Sequence, residues 1–176
     1  EHRFERRLPK GLARVHEDAW RWNQGDIHAG WLDFDNDTLP DLLVASGDYP
    51  DGQYLRLYKQ LPGGRFQDIT DEAGFNWEGS AQISVGDFDR DGDLDILAGR
   101  SLFRQPKAKR EELGPAPALF RNEVGHDRSW LQVRLVGSGP PHGASSDAVG
   151  ALVTVTTGPV TQTRRVKSSL GHAGHA

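Results

Sequence analysis

DFDNDTLPD at residues 33–41 and DFDRDGDLD at residues 87–95 place aspartate at positions 1, 3, 5 and 9 of a nine-residue stretch, twice in one chain. Hard cations need oxygen ligands that converge from several directions. An alternating Asp-x-Asp-x-Asp run can curl so that its carboxylates face one point. The first set is Asp33, Asp35, Asp37 and Asp41, and the second is Asp87, Asp89, Asp91 and Asp95. The main-chain carbonyl at position 7, from Leu39 and Asp93, is the natural further ligand by analogy with other Asp-rich loops. The ion such oxygen sets suit is Ca2+, which predicts two calcium sites.

The helix-flanked EF-hand loop begins in the same way, but it requires a bidentate carboxylate at position 12. Position 12 here is Val44 or Ala98. Each loop is followed by a short apolar run, Leu42-Leu43-Val44-Ala45 or Ile96-Leu97-Ala98, and preceded by Gly30-Trp31-Leu32 or Ile83-Ser84-Val85-Gly86. Runs of this length bounded by glycine read as buried strands. The loops therefore join strand to strand. Gly92 at position 6 of the second loop suits a turn that needs positive φ. The first loop has Thr38 there and Pro40 at position 8, which predicts a weaker site.

A hydrophobic content of 36% with 21 Gly and 10 Pro in 176 residues fits a turn-rich all-β protein. The net charge of −4 is too mild to dictate a partner, but its distribution is uneven. Residues 31–51 hold six Asp and no Lys or Arg, whereas 100–110 hold Arg100, Arg104, Lys107, Lys109 and Arg110 without an acid. The acidic segment would repel itself without a cation. There is no cysteine, which excludes disulfides, thiolate metal sites and a cysteine nucleophile. No apolar run reaches the roughly 18 residues of a membrane span, and the first residues do not read as a signal peptide. With no Met at all, the sequence reads as processed or as an excerpt of something longer.

Asp33 and Asp87 are 54 residues apart, and the match extends into the strands after each loop. Leu57-Tyr58-Lys59-Gln60, a Pro62-Gly63-Gly64 turn and Gln67-Asp68-Ile69-Thr70 follow the first loop as strand, turn and strand, and Leu119-Phe120-Arg121-Asn122 repeats the Leu57 segment after the second. Each unit reads as a small antiparallel sheet. These residues resemble the FG-GAP or VCBS repeats of β-propeller proteins, whose blades carry an Asp-x-Asp-x-Asp-Gly-x-x-Asp loop between strands. LYKQLPGGRFQDITDEAGF at 57–75 looks like the linker that follows such blades, and SWLQVRLVGSG at 129–139 with DAVGALVTVTTGPVTQTRRVKSSLG at 147–171 resembles the ASPIC/UnbV domain. The order of the two is similar to that in secreted bacterial proteins and cartilage acidic protein. A closed propeller needs at least about four blades and roughly two are present, so the resemblance implies either further chain or a partner that completes the sheets.

Other chemistries fit these residues less well. A glycosidase needs one carboxyl held protonated in an apolar setting, whereas four aspartates around a cation stay ionised, and no nucleophile with a paired base is visible. His172 and His175 could share an ion only on a turn or helix, and the glycines of SLGHAGHA oppose a helix. His28 reads as strand packing. The basic stretch 101–117 lacks interleaved stacking aromatics and runs into Glu111 and Glu112, so it reads as a solvated or partner-contacting loop rather than a nucleic-acid contact. Trp20, Trp22, Trp31, Trp77 and Trp130 read as blade and sheet core, with a carbohydrate platform as the alternative use.

The expectation is an all-β chain of antiparallel propeller-type blades, incomplete as a propeller, followed by a small β-sheet or sandwich domain. Residues 1–25 form an N-terminal segment of a preceding blade, 26–128 two calcium-loop repeats, and 129–176 the start of an ASPIC/UnbV-like β-domain. The expected role is non-enzymatic: an extracellular or periplasmic, calcium-stabilised scaffold that binds protein partners within a larger assembly. The alternative is a carbohydrate-binding or carbohydrate-processing propeller whose active residues lie outside this sequence. Neither a nucleic-acid partner nor a membrane span is expected.

Overall fold

The structure is a computed structural model that describes residues 4–5, 7–12, 26–46, 54–102, 105–114, 116–125, 128–139 and 145–166. Strand β1 (Asp26–Leu32) runs into the first Asp-rich loop and returns as β2 (Asp41–Ser46). Strands β3 (Leu55–Leu61) and β4 (Arg65–Asp68) complete an antiparallel sheet in the order β1-β2-β3-β4. Both faces of β2 are covered, since Leu43, Val44, Ala45 and Ser46 are all buried, and this is why it carries the continuous apolar run Leu42–Ala45. The β3–β4 hairpin turns on Gly63 (φ 84°) and Gly64 (φ 71°), the tight turn its Pro-Gly-Gly sequence predicts.

The second unit repeats this plan. β5 (Ser80–Gly86), the second Asp-rich loop, β6 (Asp95–Arg100) and β7 (Ala118–Phe120) form a sheet in the order β5-β6-β7. Leu42 pairs with Tyr58 as Ile96 pairs with Phe120, so the Leu57 and Leu119 segments are structural equivalents. β5 packs on β1 and β2, and one core joins the sheets: Leu32, Leu43, Leu55 and Leu57 from the first meet Ile83, Val85, Ile96 and Ala98 from the second. Phe75 and Trp77, on the connection, set their rings edge-on against Phe120. His28 accepts a hydrogen bond at Nδ1 from the Ile83 amide (3.2 Å), which is strand packing between the units.

Between β6 and β7 the stretch read as a loop contains helix α1 (Lys107–Leu113). Its residues are strong helix formers, and Lys107–Glu111 and Lys109–Glu112 pair at helical spacing. None of its residues is buried. Arg100, stacked 3.5 Å over the Trp77 ring, donates to the Leu113 carbonyl at the helix end.

Two tryptophans depart from expectation. Trp77 packs against the core, but Trp31 and Trp130 are half exposed, because Trp31 lies on the outward face of β1 between buried Gly30 and Leu32 and residues 128–139 form no strand. Trp20, Trp22, His172 and His175 lie outside the described residues. Of the N-terminal segment, Lys10 meets the edge of β4, where its carbonyl accepts from the Phe66 amide (2.9 Å). Toward the C-terminus, β8 (Leu152–Thr157) and β9 (Val160–Arg165) form a separate hairpin with no buried residue. No sandwich forms there among the described residues.

Candidate metal centre

The two loops fold bond for bond alike. At position 1, Asp33 accepts from the Asp37 and Thr38 amides (2.9 and 2.9 Å), and Asp87 accepts from the Asp91 and Gly92 amides (3.1 and 3.2 Å). At position 5, Asp37 accepts from the Leu39 amide (2.8 Å) as Asp91 does from the Asp93 amide (3.0 Å). At position 9, Asp41 takes the Phe34 and Gln60 amides (3.1 and 2.8 Å) and Asp95 the Phe88 and Asn122 amides (2.9 and 2.9 Å). Each loop thus curls on its own carboxylates, and its last aspartate ties it to the third strand of its sheet or to the residues just after it. The curl needs positive φ at positions 4 and 6: Asn36 (54°) and Thr38 (80°) in one loop, Arg90 (64°) and Gly92 (98°) in the other.

This folding brings carboxylate oxygens of Asp33, Asp35 and Asp37 within 4.8 Å of one another, and those of Asp87, Asp89 and Asp95 likewise. Asp41 and Asp91 lie outside these convergent sets. Leu39 and Asp93 contribute amides that close the loops, and the Asp93 side chain, assigned no part from sequence, is fully buried. Burial pushes the Asp33 carboxyl up against its two amide donors, with repulsion from Asp37 and Asp35 adding to the rise. Burial likewise pushes Asp41 up to about 6. A cation among such groups offsets both burial and repulsion.

The loops also touch each other. Asn36 Nδ2 donates to the Gly92 carbonyl (3.3 Å), Asp93 Oδ1 (3.2 Å) and the Gly125 carbonyl (3.3 Å), and Asn122 Nδ2 donates to the Phe34 carbonyl (2.6 Å). A side chain at Gly92 would overlap the Trp130 indole, which lies directly on the second loop. One at Gly125 would come within 2.5 Å of Asp93. The two metal-type loops are therefore one connected surface.

A basic residue on or just after the third strand faces each loop. Lys59 Nζ is paired with Asp35 and with Asp37 (2.9 Å), and sits 5.2 Å from the Phe34 ring centroid. Arg121, its equivalent after β7, reaches Asp89 (2.9 Å) and Glu123 (2.9 Å) and is 59% exposed. Sequence reasoning passed over Asn36, Lys59, Arg121, Asn122 and the Asp93 side chain. A signal for two of them existed, since the paired quartets Leu57-Tyr58-Lys59-Gln60 and Leu119-Phe120-Arg121-Asn122 both carry a cation at their third position.

Residues 33–98 match the FG-GAP-like repeat. The FG-GAP-like match starts on the first aspartate of the first loop, spans β2 to β5 and the whole second loop, and ends in β6. It does not extend to residues 129–171, the stretch that resembles the ASPIC/UnbV domain. No curated protein and no solved structure matches the chain. The second loop of the FG-GAP-like segment fits a hard divalent cation: its convergent donors are all carboxylate oxygens and its turn residue is glycine. In the first loop one ligand oxygen, Asp35 Oδ1, is buried without a hydrogen-bond partner while its twin holds Lys59.

Proposed function

We propose that this chain is a calcium-stabilised binding module of an extracellular or periplasmic protein, acting by protein-protein contact and not by catalysis. The observation that carries the reading is the convergence of Asp87, Asp89 and Asp95 on a strand-to-strand loop inside the FG-GAP-like segment. Repeats of this family are typically extracellular and often serve as calcium-binding interaction modules. Asp87, Asp89 and Asp95 would hold the ion, and Asp91 and the Asp93 carbonyl complete the set expected from sequence. Bound calcium supplies charge neutralisation and fixes the loop. The protein's own part is the curl of amides around Asp87 and the anchoring of Asp95 to the Asn122 amide.

A docking role is supported by a cleft of about 640 Å³ between the sheets, whose walls include Leu57, Ile69, Phe75, Leu94 and Phe120. Apolar walls of this kind suit a protein side chain better than a sugar. The carbohydrate reading has a different observation in its favour, the half-exposed Trp31 ring tilted against Phe66 at 6.1 Å. Loss of glycan binding in Trp31→Ala would favour it. Completion of a propeller and an ASPIC/UnbV-like domain over 129–176 belong to the same proposal, as does a place in a larger assembly. No helix among the described residues is long and apolar enough to cross a membrane.

Extracellular calcium modules work at about 10⁻⁴ to 10⁻³ M. A ligand held only by the folded state, at about a hundredfold over its dissociation constant, raises the unfolding midpoint of a chain this size by about 5–10 °C. Thermal unfolding in saturating calcium and in chelator measures this directly. An unchanged midpoint would overturn the reading.

A further inference from the structure

The two loops share every backbone hydrogen bond described above, yet beyond Thr38 and the membership of their convergent sets they differ in the side chains around them. The largest difference is at the basic residue that each sheet sends toward its loop. Lys59 is only 23% exposed on its side chain, and both of its carboxylate partners, Asp35 and Asp37, belong to the convergent set of its loop. Arg121 is 59% exposed and divides its charge between Asp89 and Glu123, of which Glu123 lies outside the loop. Attraction between half-buried charges is screened far less than attraction at the surface.

We infer that Lys59 is the resident counter-cation of the first loop and the residue that sets its divalent-ion affinity below that of the second. The ammonium neutralises one of three convergent carboxylates and physically holds an oxygen of each of Asp35 and Asp37. A divalent ion entering the loop must share these carboxylates with Lys59 or displace it. Displacement would leave a half-buried ammonium beside Phe34 without its carboxylate partners. In the second loop the rival, Arg121, holds only one carboxylate of the convergent set, Asp89, and does so from an exposed position that it shares with Glu123. Asp35 Oδ1, buried and without a hydrogen-bond partner, is a ligand oxygen that the lysine leaves unused, so the first loop keeps the means to bind a divalent ion once the positive charge is gone.

This inference rests on the calcium reading of the second loop, and the experiment separates the two. Calcium titration by calorimetry is carried out on the full chain and on Asp89→Asn, which disables the second loop and leaves the first to report alone. In the Asp89→Asn background, Lys59→Met keeps the aliphatic stem and removes the charge, and Lys59→Arg keeps the charge. The expected result is weak calcium binding with Lys59 or Lys59→Arg, and at least tenfold tighter binding with Lys59→Met. The calcium-dependent rise in unfolding midpoint grows in parallel, which also reads out a variant that folds only when calcium is present. Equal affinities for Lys59 and Lys59→Met overturn the inference while leaving the second loop's role intact. A Lys59→Met chain that stays unfolded in millimolar calcium also overturns it. Absence of calcium binding in the unmutated chain and in every variant overturns both readings together.

Discussion

Thr38 stands at φ 80° where its counterpart Gly92 stands at 98°, so the first loop holds a β-branched residue in a conformation that favours glycine. Thr38→Gly should stabilise the chelated protein by about 0.5–1 kcal/mol, the relieved strain less the entropy glycine loses on folding. Urea unfolding in chelator measures it, and a loss of stability would contradict the strain. Asp41 poses the opposite case, a fully buried carboxylate bound to two amides. Asparagine retains one acceptor oxygen, so Asp41→Asn leaves the Phe34 or Gln60 amide facing an NH2 group and should destabilise by about 1–3 kcal/mol. Burial holds the Asp41 carboxyl at about 6 against an ordinary 3.8. Between pH 4 and 6 the folded chain therefore binds this proton more than the unfolded chain does, and the stability contributed at Asp41 falls as pH rises. The gap between unmutated protein and Asp41→Asn should narrow across that window in chelator. A gap that widens would mean that the amide bonds outweigh burial.

At the scale of the elements, the repeat is carried by strand-loop-strand units whose loops are pinned side by side. Asn36 makes three of the cross-links, and its positive φ of 54° is one that glycine also tolerates. Asn36→Gly therefore removes the cross-links without backbone strain. It should lower stability by about 1–3 kcal/mol and also weaken calcium binding at the second loop, which it contacts through Gly92 and Asp93. Unaltered calcium affinity with lowered stability would confine Asn36 to a packing role. The strands were legible because each side of the loops is a short apolar run, and the β3–β4 turn because Gly63-Gly64 permits little else. The cross-links were not legible, since nothing in Asn36 or Asn122 taken singly says which loop it will face. Helix α1 was hidden for a different reason: a solvated helix has no apolar stripe, so Lys107–Leu113 shows only propensity and charge pairing.

In the whole molecule, stability is concentrated where the two sheets share a core. Leu43 and Ala98, from different sheets, are both completely buried in it, so the two units are expected to unfold together even though the sequence presents them as repeats. Trp31 and Trp130 escaped the core because burial depends on what covers a strand, a property of the assembled sheets that local pattern does not contain. The β8–β9 hairpin stands apart on the same ground. Its two strands bury no side chain, its exposed face is a ladder of threonines with Thr154–Thr163 at 3.0 Å and Thr156–Thr161 at 3.1 Å, and two-stranded hairpins alone are marginal in water. Amides of residues 152–165 should therefore exchange with solvent at least tenfold faster than those of β2 and β6, whose opening requires loss of the shared core. Hydrogen exchange read by mass spectrometry resolves these segments. Equal protection of the hairpin and β2 would contradict its reading as an uncovered two-stranded element.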